Sequence, residues 1–355
     1  MGSVSVVIPC YNYGHFLEAA VRSVLDDQPG VEVRVLIIDD ASPDGSADVA
    51  RRVAAREPRV EVLAHEANKG NIATFNEGLL EWADGDYCLL MSADDLATPG
   101  ALARARDLLD AHPEVGFVYG RALWVNDGAP LPTPRTRVRG WSVWSGQWWL
   151  DRRFRDGENP ISAPAVVVRT ALQQRVGGYD PQLPRAADME MFMRLAAHGD
   201  VGFLRGVDQA FYRLHGKNMH QAVSPLMDLE QRKSVFDVCL KRYGDRLAER
   251  GVAAEAVKAQ LAREALWAAG RVYQPGRLRR SRVGHRLLGA GSGVETADVE
   301  GLTRFAADCW PEVKRLALYR IIEAQGRLGG REVGFMLGQK GRWWLRRRSW
   351  TYRGY

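Results

Sequence analysis

Two acidic pairs, Asp39-Asp40 and Asp94-Asp95, directly follow the short apolar runs Val33–Ile38 and Tyr87–Met91 or the turn just beyond them. Two further polar clusters, Tyr11-Asn12 and Asn68-Lys69, come after the runs Val4–Ile8 and Val60–Ala64. Carboxylates gathered at strand ends repel a phosphate unless they hold a cation or accept hydrogen bonds from a base and a sugar. Their hard oxygens suit Mg²⁺ or Mn²⁺, and a cation held by Asp94 or Asp95 could neutralise a diphosphate. The competing reading is that each pair caps the helix after it.

The elements that must position these residues are strands alternating with helices. Helical patterns follow each run, over about 15–25, after Asp44-Gly45-Ser46, from Asn71 to about Trp82, and after Pro99. A fifth run spans Phe117–Trp124. Continuous apolar strands separated by helices imply an α/β fold with a mostly parallel sheet covered on both faces. In such a sheet ligands bind at the carboxyl edge of the strands, where all four polar clusters fall.

Periodicity weakens between Asn126 and Pro160, a stretch holding Trp141, Trp144, Trp148 and Trp149. The tryptophan density argues for order, and 126–160 is expected to be an acceptor-facing insertion. Strand and helix patterns return at Ala165–Val168, Asp188–His198 and Gln209–Leu214. After Ser224 the pattern is helical to about Arg327, and the chain closes on an Arg/Trp-rich tail from Arg342.

The 355 residues carry 49 basic and 43 acidic side chains, a net charge of +6. Residues 1–224 hold 23 Lys+Arg against 29 Asp+Glu, a net of −6, whereas 225–355 hold 26 against 14, a net of +12. Only 7 of the basic residues are Lys. Two domains are therefore expected, 1–224 and a basic helical 225–355. No apolar run approaches the roughly 18–20 residues of a membrane span, and no signal-peptide pattern precedes the first strand. Cys10, Cys88, Cys239 and Cys309 are far apart, without zinc or disulfide spacing. These features fit a cytoplasmic protein. The Arg/Trp tail would suit a peripheral membrane contact, and no nucleic-acid partner is expected. The run Gly289–Val294 lacks the last glycine and the preceding strand of a dinucleotide fingerprint.

The segments Val6-Val-Ile-Pro-Cys-Tyr-Asn12, Ile37-Ile-Asp-Asp-Ala-Ser-Pro-Asp-Gly-Ser46, Asn68-Lys-Gly70 and Ser92-Ala-Asp-Asp95 resemble the family 2 glycosyltransferases. Order and spacing agree over about residues 3–120. The likeness continues more weakly through Gly177–Asp180, Asp188 with Met193-Arg194-Leu195, and Tyr212-Arg213-Leu214-His215. It implies a GT-A fold and an inverting, hexosyltransferase-like enzyme that takes a nucleoside-diphosphate sugar. The acceptor stays open: small molecule, glycan, lipid-linked or peptide.

The resemblance also implies roles. Pro9, Tyr11 and Asp39 correspond to the base pocket, with Tyr11 stacking and Asp39 taking a base N–H, and Asp40 belongs to the same nucleotide-sugar site. Asn68 and Lys69 correspond to further nucleotide contacts, and Asp94 to a ribose or donor-sugar contact. Asp95, with Asp94 and His215, corresponds to the metal site. Ser92 stands where many relatives have a first Asp, which is expected to weaken metal binding rather than change the class. Asp188 resembles the catalytic base; it is set against Glu190, which Arg194 four residues on would hold on a solvated face. Two other classes fit parts of the pattern: a non-catalytic sugar-nucleotide-binding scaffold, and a sugar-phosphate nucleotidyltransferase. The latter needs a Gly-rich, Arg-bearing loop where Cys10-Tyr11-Asn12-Tyr13 stands.

Overall fold

A computed structural model of the chain describes residues 2–216, 218, 223–249, 254–270 and 296–327. The run Gly289–Val294, His220 and the Arg/Trp tail lie outside the described residues. The chain separates into two units, one of residues 1–150 and 159–218, the other of 151–158 and the helices after residue 219.

In the first unit, β1 (Ser3–Cys10) pairs in parallel with β2 (Glu32–Asp39) on one side and β4 (Tyr87–Leu90) on the other. β2 pairs in parallel with β3 (Val60–Ala64). Val6, Val7, Ile8, Val35, Ile37 and Ile38 are completely buried, so both faces of these strands are covered. That is why the runs read as continuously apolar rather than alternating. The crossovers are α1 (Gly14–Leu25), α2 (Ser46–Ala54) and α3 (Asn71–Asn76), which runs on into a π-helical turn at Glu77–Trp82.

The parallel pattern stops at β4. β8 (Val166–Arg169) inserts between β4 and β6 (Val115–Asn126), antiparallel to both. β9 (Asp200–Leu214) runs parallel to β6, while β5 (Leu96–Ala97) and β7 (Gly140–Trp144) lie antiparallel to β9. The result is a mixed nine-stranded sheet, flanked by α4 (Ala101–Ala111), the start of α5 (Gly146–Asp156), α6 (Thr170–Val176) and α7 (Ala187–Ala196).

α7 corrects one expectation. Every residue of this helix except Asp188 is buried. Glu190, expected on a solvated face, is 0% exposed, with its Oε2 2.8 Å from Arg194 Nη2. Arg194 also donates to the carbonyls of Val176 and Gly178. The i,i+4 pair exists, but as a buried, hydrogen-bonded brace rather than a surface pair.

The Trp-rich stretch is ordered. Trp141 and Trp144 lie in register with Leu204 and Val201, near the start of β9. Trp148 stacks on Trp144 at 5.6 Å between ring centroids, and Trp149 is buried, its indole N–H donating to the Tyr119 hydroxyl at 3.3 Å.

The second unit is helical in its described residues: α8 (Pro225–Glu249), α9 (Ala254–Gly270), α10 (Thr296–Cys309) and α11 (Ala317–Arg327). Its core joins Phe154 and Phe236, whose rings stand 5.0 Å apart, and includes Leu261, Leu266, Leu302 and Ala306. Arg232 is buried and braced by Glu264 at 2.8 Å, Asp228 at 2.8 Å and the Gly157 carbonyl at 2.7 Å.

Candidate active site

The ends of β1, β2 and β3 are tied side by side by backbone bonds. Asp40 donates to the Cys10 carbonyl and His65 to the Asp39 carbonyl, both at 2.9 Å. Asn12 and Ala41 follow these ends with φ of 62° and 57°. Non-glycine residues in the left-handed region cost about 1–3 kcal/mol each and gather at functional sites. The Asn12 N–H donates to Ser42 Oγ at 3.0 Å, which binds the two strained turns together.

Successive strand residues point to opposite faces, and the Asp39-Asp40 pair divides its work that way. Asp39 is 1% exposed; its Oδ2 accepts the Ser42 N–H at 3.0 Å, and its buried Oδ1 has no protein partner. Asn12 Oδ1 is likewise buried and unpartnered. Orphaned buried acceptors are costly, so two of them beside the half-exposed Tyr11 form a cradle for a donor group from outside the chain. Pro9 lies beneath, in register with Ile38.

Asp40 is spent internally. Its Oδ1 accepts the Lys69 N–H and lies against His65 Nδ1, both at 2.8 Å, and its Oδ2 accepts the Gly70 N–H at 2.9 Å. Burial pushes its carboxyl up, but His65 and the two N–H groups outweigh that and hold it below the usual range. His65 Nε2 reaches Glu77 Oε2 at 3.0 Å, and Lys69 Nζ reaches the same oxygen at 2.9 Å. Asn68 Nδ2 donates to the Asp40 carbonyl at 3.0 Å. Gly70 needs its φ of 85° to make this turn. Asp40 and His65 therefore shape the loop that presents Asn68 and Lys69.

Neither acidic pair caps a helix. α2 and α4 start at Gly45 and Gly100, with no side-chain cap. Asp94 and Asp95 are instead 6% and 3% exposed in the turn between β4 and β5. Asp94 Oδ2 lies 2.9 Å from His215 Nε2 and accepts from Asn218 Nδ2 at 3.3 Å. Asp95 Oδ1 accepts the Arg213 N–H at 3.0 Å, and Arg213 Nε donates to the Asp94 carbonyl at 2.8 Å. Burial and then the neighbouring Asp94 charge drive the Asp95 carboxyl well above its usual range. The Arg213 guanidinium rests 4.8 Å from the centre of the Phe16 ring, and the His215 imidazole stands edge-on to Tyr13 at 5.2 Å.

Asp188 sits in the first turn of α7, whose N-cap position is Ala186. Its Oδ1 accepts the Met189 N–H at 2.8 Å and its Oδ2 accepts from Asn159 Nδ2 at 3.4 Å. Burial pushes its carboxyl up, against the pull of the helix N–H groups. The link between Asp188 and the acidic pair is Tyr212, on β9. Burial first, and then the charges of Asp95, Asp94 and Asp188, drive its phenol upward. The Tyr13 phenol, pushed to about 12 by burial and then by Asp94 and Asp95, closes the other side.

The structure thus brings Asp94, Asp95, Asp188 and His215 to one locus, with the Asp39 cradle on the neighbouring strand ends. Among the described residues, no three or more His, Cys, Asp or Glu side chains are grouped closely enough to hold a metal. Asp94 and His215 form a touching pair, beside Asp95. Tyr13, His65, Asn159 and Asn218 were not singled out from sequence. Tyr13 stands directly after the first polar cluster, but the others carry no local signal.

This architecture, a mixed sheet with acidic residues in the turn after its fourth strand, is the GT-A glycosyltransferase fold. Residues 5–166, a little under half of the chain, match the model of glycosyl transferase family 2. It is 26% identical over 234 residues to the uncharacterized glycosyltransferase alr2836 of Nostoc sp., covering 65% of this chain and 70% of that relative. It spans half or less of three other curated relatives. Among solved structures it resembles S. aureus TarS 1–349 in complex with UDP-GlcNAc, with a TM-score of 0.58 and 18% identity over 92% of each chain. It also resembles the mannosyltransferase PcManGT of Pyrobaculum calidifontis in complex with GDP-Man and Mn²⁺, with a TM-score of 0.51 and 16% identity over 87% of each chain. No described helix is long and apolar enough to cross a membrane.

Proposed function

We propose that this protein transfers a glycosyl group from a nucleoside-diphosphate sugar to an acceptor hydroxyl with inversion, using Asp188 as the base. The reading is supported by the contact of Asp94 with His215 at 2.9 Å beside the buried Asp95, and by the charges of Asp95, Asp94 and Asp188 all acting on the Tyr212 phenol. The two solved relatives named above bind UDP-GlcNAc and GDP-Man respectively, which supports a nucleotide sugar as donor here.

Asp39 Oδ1 and Asn12 Oδ1 accept hydrogen bonds from the base, against which Tyr11 stacks. The loop held by Asp40 and His65 sets Asn68 and Lys69 against the rest of the nucleotide. The donor set at Asp94, Asp95 and His215 is oxygen-rich, and the adjacent buried carboxylates favour a cation between them. The touching pair Asp94 and His215, with Asp95 beside it, would supply protein ligands to Mg²⁺ or Mn²⁺, which when bound stabilises the leaving diphosphate. Asp188 accepts the acceptor's hydroxyl proton as that oxygen bonds to the anomeric carbon. The bond from that carbon to the diphosphate breaks on the opposite side, and the nucleoside diphosphate leaves. A raised pKa brings the carboxylate closer to the task of a base. Asn159 holds one oxygen of Asp188 and the Met189 N–H the other, which fixes its aim. The basic stretch 225–355, with its net of +12, would meet an acceptor, a partner or an anionic surface.

Donor turnover measured with and without Mn²⁺, for the intact protein, Asp95→Ala and Asp188→Asn, tests the reading. Loss in both variants supports it, and unchanged turnover in both sinks it. Binding of nucleotide sugars without turnover in any acceptor screen would favour the scaffold reading instead.

A further inference from the structure

Residues 1–224 carry a net of −6, yet one stretch of this half reverses the sign. Arg135, Arg137 and Arg139 stand at alternate positions of a segment laid along β9. Asp208 donates its N–H to the Arg135 carbonyl, and Arg139 donates its own to the Arg205 carbonyl, both at 2.9 Å. Val138 packs against the core cluster that holds Leu204 and Val207. Neighbouring side chains of an extended segment point to opposite faces, so Arg137 and Arg139 stand on the face away from that core.

Two glycines bring Arg205 to the same face. Trp141 packs on the same cluster as Val138, three residues before it, just as Leu204 and Val207 share the cluster on β9. Regular strands would put residues three apart on opposite faces. Each strand therefore slips phase in between, at Gly140 and Gly206, whose φ of 129° and 82° require glycine. Arg139 and Arg205 both point outward as a result, and each lies across the glycine that follows the other. A Cβ at Gly206 would stand 2.6 Å from Arg139 Cγ, and one at Gly140 would stand 2.7 Å from Arg205 Nη2.

Charge on this face is unbalanced. Asp208 Oδ1 lies 2.8 Å from Arg135 Nη2 and 3.6 Å from Arg121 Nε. Burial pushes the Asp208 carboxyl up, but Arg135 and then Arg121 outweigh that and hold it below the usual range. Arg137, Arg139 and Arg205 are exposed and make no ion pair among the described residues.

Three guanidiniums held on one face call for an anion from outside the chain, and their forks match phosphate or carboxylate. Alternate positions of an extended segment lie about 6.5–7 Å apart. One small anion would meet one or two of these groups, whereas a linear chain with repeated negative groups meets them all. Thr136 is the exposed residue among the arginines and Val138 turns to the core, so the row offers a membrane no apolar side chain to insert. We infer that Arg137, Arg139 and Arg205 dock a linear anionic polymer. Arg205 precedes Arg213, which meets the acidic pair, by eight residues of β9, about 25 Å of strand. The row is thus a surface apart from the donor site, and its role does not depend on the glycosyl-transfer reading.

The test measures binding of labelled polygalacturonate and labelled inorganic polyphosphate to the full chain by fluorescence anisotropy, at about 0.15 M salt. At least one polymer is expected to bind, and Arg137→Ser/Arg139→Ser/Arg205→Ser should weaken it by about tenfold or more. Arg346→Ser/Arg347→Ser/Arg348→Ser removes the same charge from the tail and should stay within about threefold of the intact protein. Because the row is exposed, its triple variant should keep the unfolding midpoint of the intact protein. Arg137→Glu, which leaves Arg139 and Arg205 on their glycines, should weaken binding by itself. Failure of both polymers to bind, or equal weakening by the row and tail variants, overturns the inference. So does a row variant that loses binding to phosphatidylglycerol vesicles while keeping the polymers, because the face is then a membrane contact.

Discussion

His215 Nε2 lies 2.9 Å from Asp94 Oδ2, joining the turn after β4 to the segment after β9 across 121 residues of sequence. Asn218 donates to the same oxygen at 3.3 Å, and its own position is set by the Arg213 carbonyl at 3.1 Å. The end of β9 therefore closes on the acidic pair as a unit, with Arg213 on Asp95 and His215 on Asp94.

If that closure serves a cation, His215→Ala should raise the Mn²⁺ concentration needed for half-maximal donor turnover by about 10–100-fold. Maximal turnover at saturating Mn²⁺ should change less. A metal titration of both proteins checks this, and an unchanged midpoint would leave His215 with a structural role only.

Asp188→Asn separates activity from stability. The folded carboxyl is raised above its unfolded value by burial, so the ionised form costs stability once pH exceeds the unfolded value near 3.9. At neutral pH the Asn variant should melt at or above the intact protein, and the difference should shrink as pH falls toward that value and be gone below it. In the intact protein, kcat/KM should fall on the acid side through a pKa above the ordinary Asp range.

The His65 clasp predicts a different pattern. Removing the imidazole takes one of two partners from Asp40 Oδ1 and from Glu77 Oε2, leaving them the Lys69 N–H and the Lys69 ammonium. His65→Ala should cost about 1–3 kcal/mol of stability. It should also raise the donor KM more than it lowers kcat, because the loop bearing Asn68 and Lys69 loses its anchor. Denaturant unfolding and steady-state kinetics on the same variant check both.

Gly14 tests the packing beneath Tyr13. Its N–H donates to Ser46 Oγ at 2.8 Å, and an added Cβ would lie 2.7 Å from Ser46 Cα. Backbone cannot yield as a flexible side chain does, so Gly14→Ala should destabilise by about 1–3 kcal/mol, read as a lower denaturation midpoint.

The strand-end clusters were legible because a covered parallel strand needs an unbroken apolar run, so polar residues mark where it stops. β8 was not legible as the strand between β4 and β6, since three valines and an arginine carry no sign of direction. Glu190 misled for a related reason: an i,i+4 pair with Arg194 reads the same whether it is solvated or buried. The division between Asp39 and Asp40 could not be read either. It depends on Ser42, His65 and Lys69, which only the turn geometry brings to them.

The central claim is that Asp188 takes a proton in a site whose donor groups lie elsewhere. Its most direct test is to screen UDP- and GDP-sugars with Mn²⁺ for binding and turnover by the intact protein and Asp188→Asn. The account predicts that the variant binds the donor within a few-fold of the intact protein while turnover falls by about 10²–10⁴-fold. Turnover by Asp188→Asn equal to that of the intact protein would contradict it.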